Sequence, residues 1–449
     1  MKRILKIGVT ALCLLQASLV YSDNLMDVYI EALKSDPVYL SSEANLKAVQ
    51  ESLKIANANF LPWVDGGASA NIDKEGDTNQ NYFANLNQTI FNKSYFALNK
   101  QAKASIDQAA ADFQDALQGL IIRVSERYFD VLAAIDTQNF SDADVEAIGR
   151  QLEQTKQRFE VGLVAITDVH EAQARFDSAT ARSIVAKNEV DNAYERLRAI
   201  TGTYHENLAV LNKETPLVPP KPNNIDEWTT LALENNISIQ STKYALEVAQ
   251  QSIKLQSAGH YPTLGLAAGY SSDYGDETQT IDISEPTIPP APANPPIYQD
   301  VNIHTSAYET TFVTLNFNLN FYRGGSISAA TRQAKYRYTQ ALQDLEARNR
   351  LAQTNVRSAY LSVVADVSLV KALQQAVVSN ESALQATEAG FEVGTRTTVD
   401  VLNARQFLLR AAVDLSDARY NYILDRIRLQ QAVGKLDEEE VIEINNWLN

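Results

Sequence analysis

Residues 158–169 read Arg158-Phe-Glu-Val-Gly-Leu-Val-Ala-Ile-Thr-Asp-Val169, and residues 390–401 read Gly390-Phe-Glu-Val-Gly-Thr-Arg-Thr-Thr-Val-Asp-Val401. The offset is 232, and it also pairs Gln101-Ala-Lys103 with Gln333-Ala-Lys335, Tyr128 with Tyr360 and Gly202 with Gly434. Nearer the start the offset is 200, pairing Ala32-Leu33 with Ala232-Leu233, Lys54 with Lys254 and Pro62 with Pro262. The second copy therefore carries 32 extra residues, between about 270 and 320. Two copies are too few for a solenoid. They fit one structural unit duplicated within a chain.

Proline places the boundaries. All thirteen lie at 37, 62, 216–222, 262 and 286–296. Residues 216–222, with four prolines, form a stiff linker between repeats 23–215 and 223–434, leaving a tail at 435–449. The six prolines at 286–296 sit within the insertion and mark an exposed extended loop, 273–307, with 73–81 as its shorter counterpart. Each repeat has the same predicted order. Two helices (about 24–34 and 37–60; 226–234 and 237–259) precede two strands. A long helix (about 94–160; 326–389) and a final helix (about 168–201; 399–433) follow.

The long helices show a heptad seam with a stutter. In the first copy it runs Ile106, Ala110, Phe113, Leu117, Leu120, Val124, Tyr128, Val131, Ile135. The second copy gives Tyr338, Leu342, Leu345, Asn349, Ala352, Val356, Tyr360, Val363, Val367. Sixty-odd helical residues span ~100 Å, a length that suits an antiparallel helical hairpin and no ordinary globular core.

The strands alternate. Val313, Leu315, Phe317, Leu319 and Phe321 take one face, and Thr314, Asn316, Asn318 and Asn320 the other. Similar alternation places Leu264, Leu266, Ala268 and Tyr270 on one face, as it does Val64, Gly66, Ala68, Ala70 and Ile72, and Tyr82, Ala84, Leu86 and Ile90. A half-buried soluble sheet has the same period. Four such runs, with Asn-rich opposite faces, favour an outer-membrane barrel with a wet lumen. Residues 1–22 support that address: Met-Lys-Arg, an apolar run from Ile7 to Val20 and Ser22 before Asp23 read as a signal peptide. Four strands cannot close a barrel, and an open edge in lipid leaves backbone groups unpaired. The barrel must be shared among chains: two would give eight strands, three twelve.

Composition excludes other classes. With 39 basic and 55 acidic residues the net charge is -16, and removal of Lys2, Arg3 and Lys6 with the signal peptide takes it to -19. No basic stripe is present for nucleic acid. Cys13 is the one cysteine, and His170, His205, His260 and His304 stand far apart. No disulfide framework, metal cluster, phosphate loop or catalytic triad is legible, so the expectation is neither an enzyme nor a cofactor protein. Asp437-Glu-Glu-Glu440 reads as a solvated charge run.

The twofold repeat, the paired tips Val161-Gly162-Leu163 and Val393-Gly394-Thr395-Arg396, and Tyr322-Arg323-Gly324-Gly325 at the strand-to-helix junction resemble the TolC family of outer-membrane efflux channels over nearly the whole mature chain. The resemblance implies an α+β membrane protein: a homotrimer whose twelve-stranded β-barrel is continued by an α-helical coiled-coil tunnel through the periplasm. It implies docking to a periplasmic adaptor at Gly162, Leu163, Gly394 and Thr395, and an inner-membrane pump of RND, ABC or MFS type. Such a duct would serve tripartite efflux and type I secretion, passing drugs, detergents or proteins; a barrel-anchored adhesin-like stalk is the alternative. Carried over residue by residue, the gate links are Thr167, Asp168, Phe391 and Arg396, and the pore constriction is Asp400 and Asn403. Two departures stand out. The family's gate tyrosine is Phe391 here, without a hydroxyl, and its second ring aspartate is Asn403, without a charge. Read from the residues alone, Asp168 and Asp400 are also carboxylates favoured by the start of a helix, Arg396 is equally a solvated tip charge, and Gly162 and Gly394 are helix C-caps.

Overall fold

The computed structural model describes residues 22–72, 74, 77–212, 215–282 and 297–448. The expected signal peptide, apart from Ser22, and the centre of the expected proline-rich loop lie outside them. The element order is α1 (Leu25–Ser35), α2 (Pro37–Ala58), β1 (Trp63–Ile72), β2 (Thr78–Asn92), α3 (Lys93–Glu160) and α4 (Ile166–Thr201). The second copy repeats it: α5 (Ile225–Asn235), α6 (Ile237–Ser257), β3 (Thr263–Asp282), β4 (Tyr298–Asn318), α7 (Ser326–Glu392) and α8 (Thr398–Ala432), before a short α9 (Glu438–Asn445). The chain divides into two compact units, one comprising residues up to Ser42, 114–236 and 351–449, the other 43–113 and 237–350.

The second unit holds the sheet, with antiparallel order β1-β2-β3-β4. Its register tests the alternation residue by residue. Val64 pairs with Leu86, Leu86 with Ala268 and Ala268 with Val313, so one row crosses all four strands on the expected apolar face. Val64 and Val313 are 70% and 73% exposed in the single chain, so this face has no cover of its own. On the opposite face Asn85 and Asn87 donate to Asp65. There Phe83 lies over Gly67 and Phe312 over Gly269, the rings filling space beside residues without a side chain.

Two features differ from the sequence reading. A bulge at Ile90 shifts the register between Thr89 and Phe91, so Phe91 pairs with Leu264. The expected loop 273–307 is not all loop: β3 and β4 continue into it and stay paired as far as Asp282 and Tyr298. Thr278, Thr280, Ile281, Val301 and Ile303 favour strand despite the acidic residues among them.

In the first unit, the lower half of each seam forms the core. Leu120, Val124, Tyr128 and Val131 are buried, as are Val356, Tyr360, Val363 and Val367. Apolar side chains of this size contribute ~1.5–3 kcal/mol each when fully buried. The repeat-paired tyrosines do matching work: Tyr128 Oη donates to the Ala209 carbonyl at 2.7 Å, and Tyr360 Oη to Asn223 Oδ1 at 2.7 Å. The proline linker is pinned from α8, where Tyr422 Oη accepts from the Val218 amide at 3.0 Å. The acidic run at 437–440 is not solvated throughout. Asp437 caps α9, and Glu440 is buried against Arg426, its Oε1 lying 2.8 Å from Arg426 Nε.

Candidate gate and pore constriction

Both hairpins of the first unit end in the same turn. Gly162 and Gly394 adopt φ of 76° and 78°, a left-handed conformation that a side chain would strain. At one tip the Gly162 amide donates to Phe159 O and the Leu163 amide to Arg158 O; at the other, Gly394 donates to Phe391 O and Thr395 to Gly390 O. This paired 5→2 and 6→1 pattern is a Schellman cap, which satisfies the last carbonyls of a helix. Val161, Leu163 and Val393 project from these turns at 70–76% exposure.

The helices that leave the tips begin differently. At α8, Thr397 Oγ1 accepts from the Asp400 amide at 3.2 Å while Asp400 Oδ2 accepts from the Thr397 amide at 2.9 Å, a reciprocal capping box. At the equivalent start of α4 stands Ala165, which has no side-chain acceptor, so Asp168 lies in the first turn without that partner. The Thr397 bonds and the nearby Arg396 charge hold the Asp400 carboxyl below the usual aspartate range. Asp400 is therefore both the helix-start carboxylate and a firmly ionised group.

Asn403, one turn along and half-buried, accepts from Arg175 Nη2 of α4 at 3.4 Å. Phe391 is 5% exposed and packs with Leu384 and Val401. The Arg158 guanidinium lies 4.3 Å from the centroid of its ring. Arg396 is exposed and folds back on Gly390, where a Cβ would come within 2.8 Å of its Cγ. Among the described residues, no hydrogen bond or ion pair within one chain joins Thr167 or Asp168 to Phe391 or Arg396.

Arg175, Arg158 and Thr397 were not singled out from sequence. Thr397-x-x-Asp400 carries the capping-box spacing and was findable. Arg158 and Arg175 were not, because their partners lie in the other repeat. No group of three or more metal-binding side chains occurs among the described residues.

A family model described as outer membrane efflux protein matches residues 28–203 and 228–435. Outer membrane protein TolC of Vibrio cholerae serotype O1 is 36% identical over 453 residues, covering 100% of this chain and 99% of that one. Alkaline protease secretion protein AprF of Pseudomonas aeruginosa is 28% identical over 436 residues, covering 93% and 86%. Among solved structures, the Campylobacter jejuni CmeC outer membrane channel superposes with a TM-score of 0.74 at 18% identity, covering 95% of this chain and 90% of that one.

Proposed function

The chain belongs to the outer membrane efflux protein family, and from that premise we propose that it is the outer-membrane export duct of tripartite efflux and type I secretion systems. The observation that carries this reading is the sheet: a continuous apolar row on one face, polar groups on the other, and a single pairing neighbour for each of β1 and β4. In hydrocarbon each unpaired edge group costs several kcal/mol, so the sheet is stable only when copies close it. Three copies make a twelve-stranded barrel, which the α-helical coiled-coil tunnel continues into the periplasm. The stalk reading finds no support in the family or in its relatives.

The duct takes drugs, detergents or proteins from an inner-membrane pump of RND, ABC or MFS type through a periplasmic adaptor. The relative named for protease secretion extends the cargo to proteins. Gly162, Leu163, Gly394 and Thr395 form the adaptor-docking tips, a reading supported by the exposed apolar side chains those turns present. Thr167, Asp168, Phe391 and Arg396 link the gate, and Asp400 and Asn403 line the constriction. Since Thr167 and Asp168 make no such link within the chain, their partners are assigned to the neighbouring protomer.

Deleting the gene is expected to sensitise cells to detergents and dyes, with resistance restored by the intact chain. Unchanged sensitivity would return the stalk reading. Solution mass in detergent is expected to be that of three chains; a monomer with full strand content would overturn the shared barrel.

A further inference from the structure

Phe391 lacks the hydroxyl that the resemblance assigns to the gate, yet it is not idle. Its ring is buried at 5% exposure in a cluster with Leu384 and Val401, at the end of α7. Arg158, in the last turn of α3, places its guanidinium 4.3 Å from the ring centroid. That is well within the ~6 Å over which a cation is attracted to the negative face of an aromatic ring. The backbone of both partners is fixed. The Arg158 carbonyl accepts from the Leu163 amide in one Schellman turn, and the Phe391 carbonyl from the Gly394 amide in the other. The contact therefore ties the tip of the first hairpin to the tip of the second within one chain, between caps that hold each end rigid.

We propose that Arg158 is a gate residue, clasping the first hairpin tip to the second through the face of Phe391. The proposal rests on the reading of these tips as the gate. A clasp of this kind needs no carboxylate and no hydroxyl. It is a partly desolvated cation on a buried ring, so salt weakens it less than it weakens an exposed ionic link such as that assigned to Arg396.

The test is single-channel conductance of the full trimer in planar bilayers at ~0.1 M and ~1 M KCl, where the Debye length falls from ~10 Å to ~3 Å. Arg158→Leu and Phe391→Leu keep apolar bulk and remove the cation or the ring. Each is expected to raise the ratio of open to closed tips about fivefold, equivalent to ~1 kcal/mol. The double variant should do no more than either alone, and the increase should persist at high salt. Arg158→Lys should restore most of the closure, and Phe391→Tyr should stay closed. Arg396→Ser separates the two readings, because it probes the gate without touching the clasp. If Arg396→Ser opens the channel and Arg158→Leu does not, the gate stands and the clasp is wrong. If neither opens it, the gate assignment falls, and the clasp with it. If the effects of Arg158→Leu and Phe391→Leu add in full, the two side chains act separately and the clasp is also wrong.

Discussion

Asn403 Oδ1 accepts a hydrogen bond from Arg175 Nη2 at 3.4 Å, so α8 meets a cation of α4, itself 3.7 Å from Glu171 Oε1, at the position the proposed constriction gives to a second carboxylate. On the proposed constriction, an aspartate there would face Arg175 as well as the pore. Part of its charge would be spent on an ion pair, since an opposite charge at this range favours local pairing.

The expected result for cation block follows from that geometry. If Asp400 lines the proposed constriction, a trimer brings three carboxylates to it, each kept below the usual aspartate range by its bonds to Thr397. Asp400→Asn keeps an acceptor for the capping box and removes the charge, so it should nearly abolish both cation preference and block by multivalent cations while the helix start stays intact. Asn403→Asp should tighten block modestly, and Asn403→Asp with Arg175→Ala should tighten it further. Ion selectivity and block in bilayers measure this. Unchanged selectivity in Asp400→Asn would reduce Asp400 to a helix cap alone.

The duplication made most of this fold legible. Paired positions such as Tyr128 and Tyr360 located the core of both repeats, and the observed α3 and α7 begin and end within three residues of their expected bounds. Local chemistry was legible where both partners lie within one turn, as for Gly162, Gly394 and Asp400. It was hidden where a distant element decides. Arg175 reaches Asn403 and Arg158 reaches Phe391 across more than two hundred residues, with no periodicity linking them. Glu440 is buried because α8 brings Arg426 to it, and no feature of the acidic run announces that.

Sidedness has a direct test. The β3–β4 hairpin extends past the apolar rows into polar, paired strand as far as Asp282 and Tyr298. If that extension lies outside the cell, an epitope inserted near Pro290 should be stained on intact cells. Staining only after permeabilisation would invert the topology.

The tail is expected to depend on Arg426. Arg426 Nε lies 2.8 Å from Glu440 Oε1 and Arg426 Nη2 2.5 Å from Glu443 Oε2, while the guanidinium sits 4.9 Å from the Trp447 ring centroid. The Arg426 and Glu440 side chains are 19% and 10% exposed. Arg426→Met leaves the Glu440 carboxylate buried without its cation, a loss on the order of 3–5 kcal/mol. Glu440→Gln leaves Arg426 paired with Glu443 and removes the more buried of the two charges, so it should lose less. Thermal melting followed by tryptophan fluorescence would read both; equal losses would mean that packing, and not charge, holds α9.

Asp366 of α7 should give the protein a pH-dependent stability. Burial, and then the neighbouring Asp425 carboxylate of α8, push its pKa up to about 6. Asp425 is also paired with Arg428 at 2.8 Å, which in turn lies 2.7 Å from Glu126 of α3. Arg428 is thus already shared between two carboxylates. In an unfolded chain an aspartate titrates near ~3.9. Between about pH 4 and about pH 6 the folded state therefore holds a proton that the unfolded state has lost, and stability falls as pH rises through that window. Above it the contribution is constant, with Asp366 ionised beside Asp425. Asp366→Asn imitates the protonated acid at every pH, with an amide that can donate to Asp425. Its melting temperature should match the wild type near pH 4 and exceed it near pH 7. The difference between the two curves isolates this group from all other titrating carboxylates. Parallel curves from pH 4 to pH 7 would show that Asp366 titrates as an ordinary surface aspartate.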